Sequence, residues 1–500
     1  MPSVEGILIQ AAADARSQED TQYRRRWLIL AVIATAQLMV VLDATVVNVA
    51  LPSAQSALGI SNDQRQWIIT AYTLAFASML LLGGKLGDLF GRKRTLVIGL
   101  CGFAVASAIG GASTSFAMFA GARAVQGAFG GLLAPAVLSL VTTTFTEPSE
   151  RNKAFGIYSA VLVSGASIGL LLGGALTEFI DWRAVMYINV VIALVPLTGA
   201  LTLLRNERSQ QKPRLDVPGV VTVSAGLFAV VFAFSWAETN SWSDPVTITM
   251  LAAGVVLLAL FVGIESRVAE PLLPLRVLAD RNRGASYLSI GIGAAAMFGV
   301  FIFLTFYLQR IEGYSPVVTG LAFLPLSLAV VVTAPIAQTK LRPRFGPRPL
   351  VVTGMVLGAA AMLYLSRLGV VSTYAIDILP ALLVMGVGLG LVFSSAANSG
   401  TLGVRRSDAG VASATVNASQ QVGASLGTAL LSTLAASATA SDLTSPHPMP
   451  AAIAAATVHG YTTGFRWAAL LFVVGAVVAA VTYRRQVPDR HPVATPAVAH

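Results

Sequence analysis

The sequence predicts an all-α integral membrane protein with fourteen membrane-spanning helices, arranged as two related six-helix bundles with a two-helix insert between them. Three observations carry this. Only 11% of the residues are charged and 55% are hydrophobic, and the mean hydropathy of +0.74 lies outside the range of soluble globular domains. Fourteen apolar runs approach the roughly 20 residues a helix needs to cross a bilayer. Short patterns of the first half also return in the second at a nearly constant offset.

The runs are 27–51, 67–84, 95–113, 116–141, 154–176, 184–204, 217–237, 246–264, 285–308, 317–338, 349–366, 375–397, 409–436 and 464–483. Spans 1 to 6 make a first bundle over 27–204, and residues 205–284 carry the insert, spans 7 and 8. A second bundle covers 285–483, leaving tails at 1–26 and 484–500. The first 23 residues are polar and mixed in charge, without the apolar core and small-residue cleavage site of a removable signal peptide, so span 1 serves as an anchor. Cys101 is the single cysteine; it excludes an intrachain disulfide and reads as a small packing residue of span 3.

Of the 33 Lys and Arg, 27 precede span 1 or fall in every second loop after it. The other loops hold Arg65, Arg183, Arg310, Arg367 and Arg466, and Arg123 lies within a span. The positive-inside rule therefore places both termini in the cytoplasm and accounts for the net charge of +10 without a nucleic-acid partner. Arg far outnumbers Lys and Ala is abundant, the composition of a GC-rich bacterium, which makes the bacterial inner membrane the expected location.

The repeat appears in three places. KLGDLFGRKR from Lys85 matches KLRPRFGPRP from Lys340, 255 residues on; GASIG at 165–169 matches GASLG at 423–427, offset by 258. Ala122, Gly127 and Gly131 match Ala381, Gly386 and Gly390 at 259. Each pair maps span n onto span n+8. A duplication of six helices shifts the index by six, so spans 7 and 8 are the insertion. Duplicated six-helix bundles belong to secondary transporters that rock about a midplane site.

Gly165, Gly169 and Gly173 recur every four residues, and Gly423 with Gly427 repeats the pattern in span 13; such stripes let another helix approach closely. GASIG also satisfies the G-x-S-x-G of a hydrolase elbow. That elbow needs a strand-to-helix turn, whereas Ser167 and Ser425 lie inside spans, and His447, His459, His491 and His500 all fall in the last loop or the tail. GVGLG at 386–390 lies mid-span and lacks the Lys of a phosphate loop. No enzyme activity, nucleotide, cofactor or metal is expected.

Asp43 interrupts span 1 about two-thirds along, where a carboxylate is expensive unless paired, solvated or protonated. Two readings stand: a structural hydrogen-bond partner or interfacial residue, or a proton or cation site. Arg123 interrupts span 4 and shares a face with Gly127 and Gly131. It keeps its charge and either supports a carboxylate electrostatically or makes a structural ion pair; contact with Asp43 is left open. Glu178, near the outer end of span 5, is a further proton carrier or a solvated loop residue. In the repeat, Arg123 corresponds to Leu382 and Asp88 to Pro343, and span 9 has no acid between Ala285 and Gln309. Proton coupling is therefore expected in spans 1–6, with spans 9–14 shaping the substrate cavity. Its candidate residues are Asn48, Trp67, Tyr72, Gln126, Phe306, Gln309, Asn417 and Gln421. Spans 7 and 8 carry few polar groups and are expected outside the transport path.

GKLGDLFGRKR at 84–94, LDATVVNVALP at 42–52, RAVQGAFGG at 123–131 and YLQRIEGYSPVVTGLAFLP at 307–325 together resemble the signatures of the major facilitator superfamily, and within it the fourteen-helix drug:proton antiporters. The resemblance covers the chain apart from the tails and the loop near 437–460. It implies the major facilitator fold, proton-coupled efflux of amphipathic drugs or antibiotics, and a cytoplasmic gate in which Asp88 and Arg92 hold the inward side closed. Gly84, Gly87 and Gly91 suit that role by allowing tight turns and close approach, and Asp88 by accepting from N–H groups at a helix N-terminus. One departure stands in span 5, where Leu170 follows Gly169 in place of the proline of the family's antiporter signature. Two alternatives to drug efflux remain: proton-coupled exchange of a metal ion or other metabolite, and a non-transporting membrane sensor or scaffold.

Overall fold

The computed structural model describes residues 4–204, 216–268, 271–443 and 449–484. These residues are helical throughout apart from their loops, and fourteen helices are long and apolar enough to cross a membrane. Numbered after the spans, they are α1 (Val4–Leu58), α2 (Asn62–Phe90), α3 (Arg92–Gly111), α4 (Phe116–Thr144), α5 (Pro148–Phe179), α6 (Ala184–Leu203), α7 (Val217–Thr239) and α8 (Pro245–Glu265). After a short helix at Leu275–Ala279 follow α9 (Arg281–Ile311), α10 (Pro316–Phe345), α11 (Pro347–Leu365), α12 (Tyr374–Gly400), α13 (Arg406–Asp442) and α14 (Pro450–Thr482). Tight connections are closed by side-chain caps, which satisfy N–H groups that the first turn leaves open. Ser61 and Gln64 form a reciprocal capping box at α2, and Ser115 and Ser315 cap α4 and α10.

Two boundaries differ from the sequence reading. α1 begins at Val4, so the N-terminal tail is helical from there, and it continues past Pro52 to Leu58. No glycine or proline interrupts the chain between Ile7 and Leu51, which explains the continuity. Asp43 consequently lies near the middle of the membrane-length segment Arg25–Leu58 rather than two-thirds along it. α14 starts at Pro450, ahead of the expected 464, because proline at a helix start precedes the strong helix former AAIAAA. His459, expected in a loop, is thus helical and pairs with Asp442 at 2.7 Å.

The repeat is visible in the packing. α1 lies against α5 and α6, α2 against α4, and α3 against α4 and α6; in the second bundle α9 lies against α13 and α14, α10 against α12, and α11 against α12 and α14. The glycine stripes sit on these seams. Gly165, Gly169 and Gly173 face Val41, Thr45 and Val46 of α1, while Gly423 and Gly427 face the backbone of Gly291 and Ala295 in α9. A methyl group at Gly423 overlaps the Gly291 carbonyl, whereas at Gly173 its nearest neighbour is Val46 at 3.0 Å. Gly423→Val is therefore expected to lower stability by about 1–3 kcal/mol, with Gly173→Ala distinctly milder; thermal unfolding in detergent compares them.

The insert does not simply stand apart. α7 packs on α2 of the first bundle and α13 of the second. Ser224 Oγ donates to the Ser78 carbonyl at 2.7 Å, and Trp242 Nε1 donates to Thr433 Oγ1 at 3.1 Å. α8 packs mainly against α7 and is the least buried span. On the opposite side the bundles meet along α5 and α10, where Ser327 Oγ donates to Ser167 Oγ at 2.7 Å. Cys101 is exposed rather than packed, because α3 buries the face of Leu96, Leu100, Phe103 and Ser107, and Cys101 points away from it.

Candidate functional site

Five helices of the first bundle converge on Asp43, which is 1% exposed. Its Oδ2 accepts from Arg123 Nη1 at 2.6 Å, and its Oδ1 accepts from Gln126 Nε2 and Asn189 Nδ2, each at 2.7 Å. Gln126 Nε2 also donates to Ser107 Oγ at 2.6 Å, and Arg123 Nη1 to Gln126 Oε1 at 2.5 Å. The guanidinium lies over the Tyr72 ring, 4.1 Å from its centre. The sequence of α4 makes this possible. Arg123, Gln126 and Gly127 share one face at helical spacing, and Gly127 admits the backbone of Tyr72 so closely that no side chain fits between the two helices.

A lone carboxylate at this depth is costly; the guanidinium cancels its charge, and removing either partner strands the other. The cluster is nonetheless not closed on itself. Among the described residues, Arg123 Nε, Tyr72 Oη and Asn189 Oδ1 are buried without a hydrogen-bond partner. The site therefore retains donors and acceptors that a change of protonation or position can engage.

Asp43 and Arg123, whose contact the sequence left open, meet. Two members of the cluster were missed. Asn189 had a signal, as the only amide side chain between residues 184 and 204; Ser107 is one hydroxyl among many. Glu178 is exposed at the end of α5 and stands outside the cluster. Of the cavity candidates, Tyr72 and Gln126 are buried within it. Asn48 is exposed and donates to the Ala44 carbonyl of its own helix. Trp67 is 39% exposed and meets the Phe232 ring of α7 at a tilt of 44°; Phe306 is equally exposed and stacks on Tyr461, with Arg310 over its ring. Asn417 is buried and bonded to the Ser413 carbonyl, and Gln309 and Gln421 are half-buried.

A second polar site joins the bundles at the end where the basic loops cluster. Asp88 accepts from Arg92 Nη2 at 3.0 Å and from the Gly410 and Val411 N–H groups in the first turn of α13. Arg92 also reaches across, donating through Nη2 to the Arg406 carbonyl at 2.6 Å and through Nε to Ser139 Oγ at 2.7 Å. A methyl group on Gly84 comes within 2.5 Å of the Gly410 carbonyl, so close approach is needed there. Gly91 adopts φ +97°, as its repeat partner Gly346 adopts +73°, backbone that disfavours other residues. Gly87 differs from the expectation: among the described residues a methyl group there meets nothing within 4 Å.

A third site, unforeseen in the sequence, lies on the other side of the same end. Buried Arg151 of α5 donates to Asn398 Oδ1 at 3.0 Å, Thr401 Oγ1 at 2.9 Å and the Thr142 carbonyl at 3.1 Å. Asn398 in turn donates to Asn152 and Gln338. Arg151 looked like one more topogenic charge, and nothing local marks partners some 250 residues away. Arg151→Ala is expected to cost about 1.5–3 kcal/mol per lost charged hydrogen bond in this closed arrangement. Faster labelling of a cysteine placed at the neighbouring buried Ala397 checks it, and Arg151→Lys restores little because it lacks the planar fork.

The profile of the Major Facilitator Superfamily matches residues 33–428. Puromycin resistance protein pur8 of Streptomyces alboniger is 48% identical over 457 residues, covering 91% of each chain. A tetracenomycin C resistance and export protein of Streptomyces glaucescens is 38% identical, over 83% of this chain and 76% of the other. The multidrug efflux pump LfrA of Mycolicibacterium smegmatis is 32% identical, over 82% and 81%. In three dimensions the human organic anion transporter MFSD10 superposes with a TM-score of 0.59 at 15% identity, over 91% of this chain and 99% of that one, a likeness of fold.

Proposed function

This chain belongs to the major facilitator superfamily, and on that premise we propose that it is a proton-coupled antiporter exporting amphipathic small molecules by alternating access. The observation that carries the reading is the buried Asp43–Arg123 pair, near the middle of the membrane-length part of α1 and held by Gln126 and Asn189. Asp43 takes a proton when the outer side opens and gives it up when the inner side opens. Arg123 stabilises the ionised carboxylate, and the uncommitted oxygen of Asn189 lets its amide turn when the carboxyl is protonated. Glu178, exposed at the outer end of α5, is the reserve candidate for proton entry.

The basic end is cytoplasmic by the distribution of Lys and Arg, with both termini on that side of a bacterial cell membrane. The Asp88–Arg92 contacts with α13 act as the inner gate, and the Arg151 contacts as a second latch. Asn48, Trp67 and Phe306 are the accessible members of the cavity set. The names of the relatives suggest a first substrate: puromycin is an amphipathic molecule with a protonatable amine and an aromatic ring, suited to aromatic faces.

The test is uptake into proteoliposomes of the full chain, with puromycin or a cationic dye on both sides of the membrane and a proton gradient imposed. Accumulation against the substrate gradient, abolished by a protonophore, is expected. Downhill movement unaffected by the proton gradient rules out coupling.

A further inference from the structure

Apart from the Asp43 cluster and the gate, one pair of buried acids has no part in the cycle above. Asp216 caps α7, its Oδ1 accepting from the Gly219 N–H at 3.0 Å. Glu265 ends α8, and its oxygens accept from the Leu272 and Leu273 N–H groups of the following loop at 3.2 and 2.9 Å. The residues are 8% and 4% exposed. Their side chains are within hydrogen-bonding contact, and Asp216 Oδ2 and Glu265 Oε1 crowd the same bare face of Gly219. Asp216 Oδ2 has no donor among the described residues.

Two carboxylates held together away from water cannot both be ionised; one proton turns the clash of acceptors into an O–H···O bond. No neighbouring cation performs that task among the described residues. Lys85 of α2 donates to the Pro271 carbonyl at 2.8 Å, Arg92 at the start of α3 is engaged with Asp88, and Arg267, in the loop after α8, is exposed. The Lys85 contact also gives the pair a place in the molecule. Glu265 holds residues 272 and 273, Pro271 beside them receives Lys85, and Lys85 lies three residues before Asp88 of the gate.

We propose that Asp216 and Glu265 hold one shared proton, a second proton-binding site, and that this proton fastens the loop after α8 to the start of α7 and thereby braces the gate loop. The sign follows from the charges. At low pH the pair is singly protonated and the brace is complete; as the pH rises through its titration the two anions repel, the loop moves off, and Lys85 loses its acceptor. In the proposed cycle, which this last step alone rests on, an acidic cytoplasm thus favours the closed inner gate and limits further proton entry.

Infrared difference spectroscopy and hydrogen exchange on the full chain in liposomes test this without any transport measurement. Wild type is expected to show a carboxylic-acid band at neutral pH that survives Asp43→Asn and disappears in Glu265→Gln. Asp216→Asn, whose amide oxygen still caps Gly219, is expected to remove the same band, which guards against misfolding of one variant. Exchange of the 272–273 amides, corrected for intrinsic rates, is expected to accelerate with rising pH in wild type and to lose that dependence in both variants. A band unchanged in both variants, or absent from wild type, overturns the proposal. So does protection that requires added Mg²⁺ or Na⁺, which makes the pair a cation site.

Discussion

Asp43→Asn is expected to bind substrate with near-native affinity and to lose uphill transport by at least about a hundredfold, the lower range of what a positioned proton-transfer group contributes. The contacts explain why this variant separates the two properties. Asparagine keeps the shape of the side chain and leaves an oxygen for Arg123 Nη1 at the position now 2.6 Å away. Its NH2 group then faces the amide of Asn189, whose Oδ1 can turn to accept, and that of Gln126, whose Nε2 keeps Ser107 Oγ as its acceptor. The site can therefore remain packed while losing the group that titrates. Asp43→Leu is a different case: Arg123 is left as an uncompensated buried cation, which costs about 3–5 kcal/mol. Equilibrium binding and proton-driven efflux, measured side by side in proteoliposomes, distinguish the outcomes. Normal pumping by Asp43→Asn assigns the aspartate to structure and moves attention to Glu178.

The second large effect is expected at Gly84. Valine there drives a side chain into the Gly410 carbonyl and Ala414, 2.5 and 2.8 Å from the first added carbon. The backbone on both sides is helical and cannot yield locally, so the strain falls on the arrangement in which α2 and α13 touch. Overpacking of about 1–3 kcal/mol shifts the balance between closed and open inner ends by roughly a factor of five to a hundred or more. Gly84→Val is therefore expected to hold the inner end open and stop transport, whereas Gly87→Ala, with open space around it, is expected to transport normally. Spin-label distances between the inner ends of α2 and α13 read the shift directly. Equal behaviour of the two variants would falsify the assignment of Gly84 as the contact point.

The fold was legible because its signals are cumulative. Fourteen apolar runs and three repeat pairs spread across the chain outweigh the error of any one boundary, and α14 began early only because Thr457, His459 and Gly460 interrupt hydropathy without interrupting a helix. The site was legible where a residue violated its surroundings. Asp43 and Arg123 stand out as charges in lipid-length runs, and Asn189 was available by the same logic. What remained hidden depends on partners brought together by folding. Arg151 resembles any basic residue at a loop, and Gly84 and Gly87 are indistinguishable until α13 is laid against one and not the other. The acids at 216 and 265 stand at helix ends, and their contact exists only once α7 and α8 pair.

The position of α7 has a mechanical consequence. Through Ser224 it is tied to the first bundle and through Trp242, just beyond its end, to the second. If the bundles rotate against each other as proposed, a rigid insert cannot keep both ties. At least one must break and re-form in each turnover, at a net expense of about 0.5–1.5 kcal/mol per bond. The insert is then a slipping joint: it shields one flank of the interface from lipid in both states and adds a small internal friction to the stroke, which replacement of Trp242 by phenylalanine should reduce.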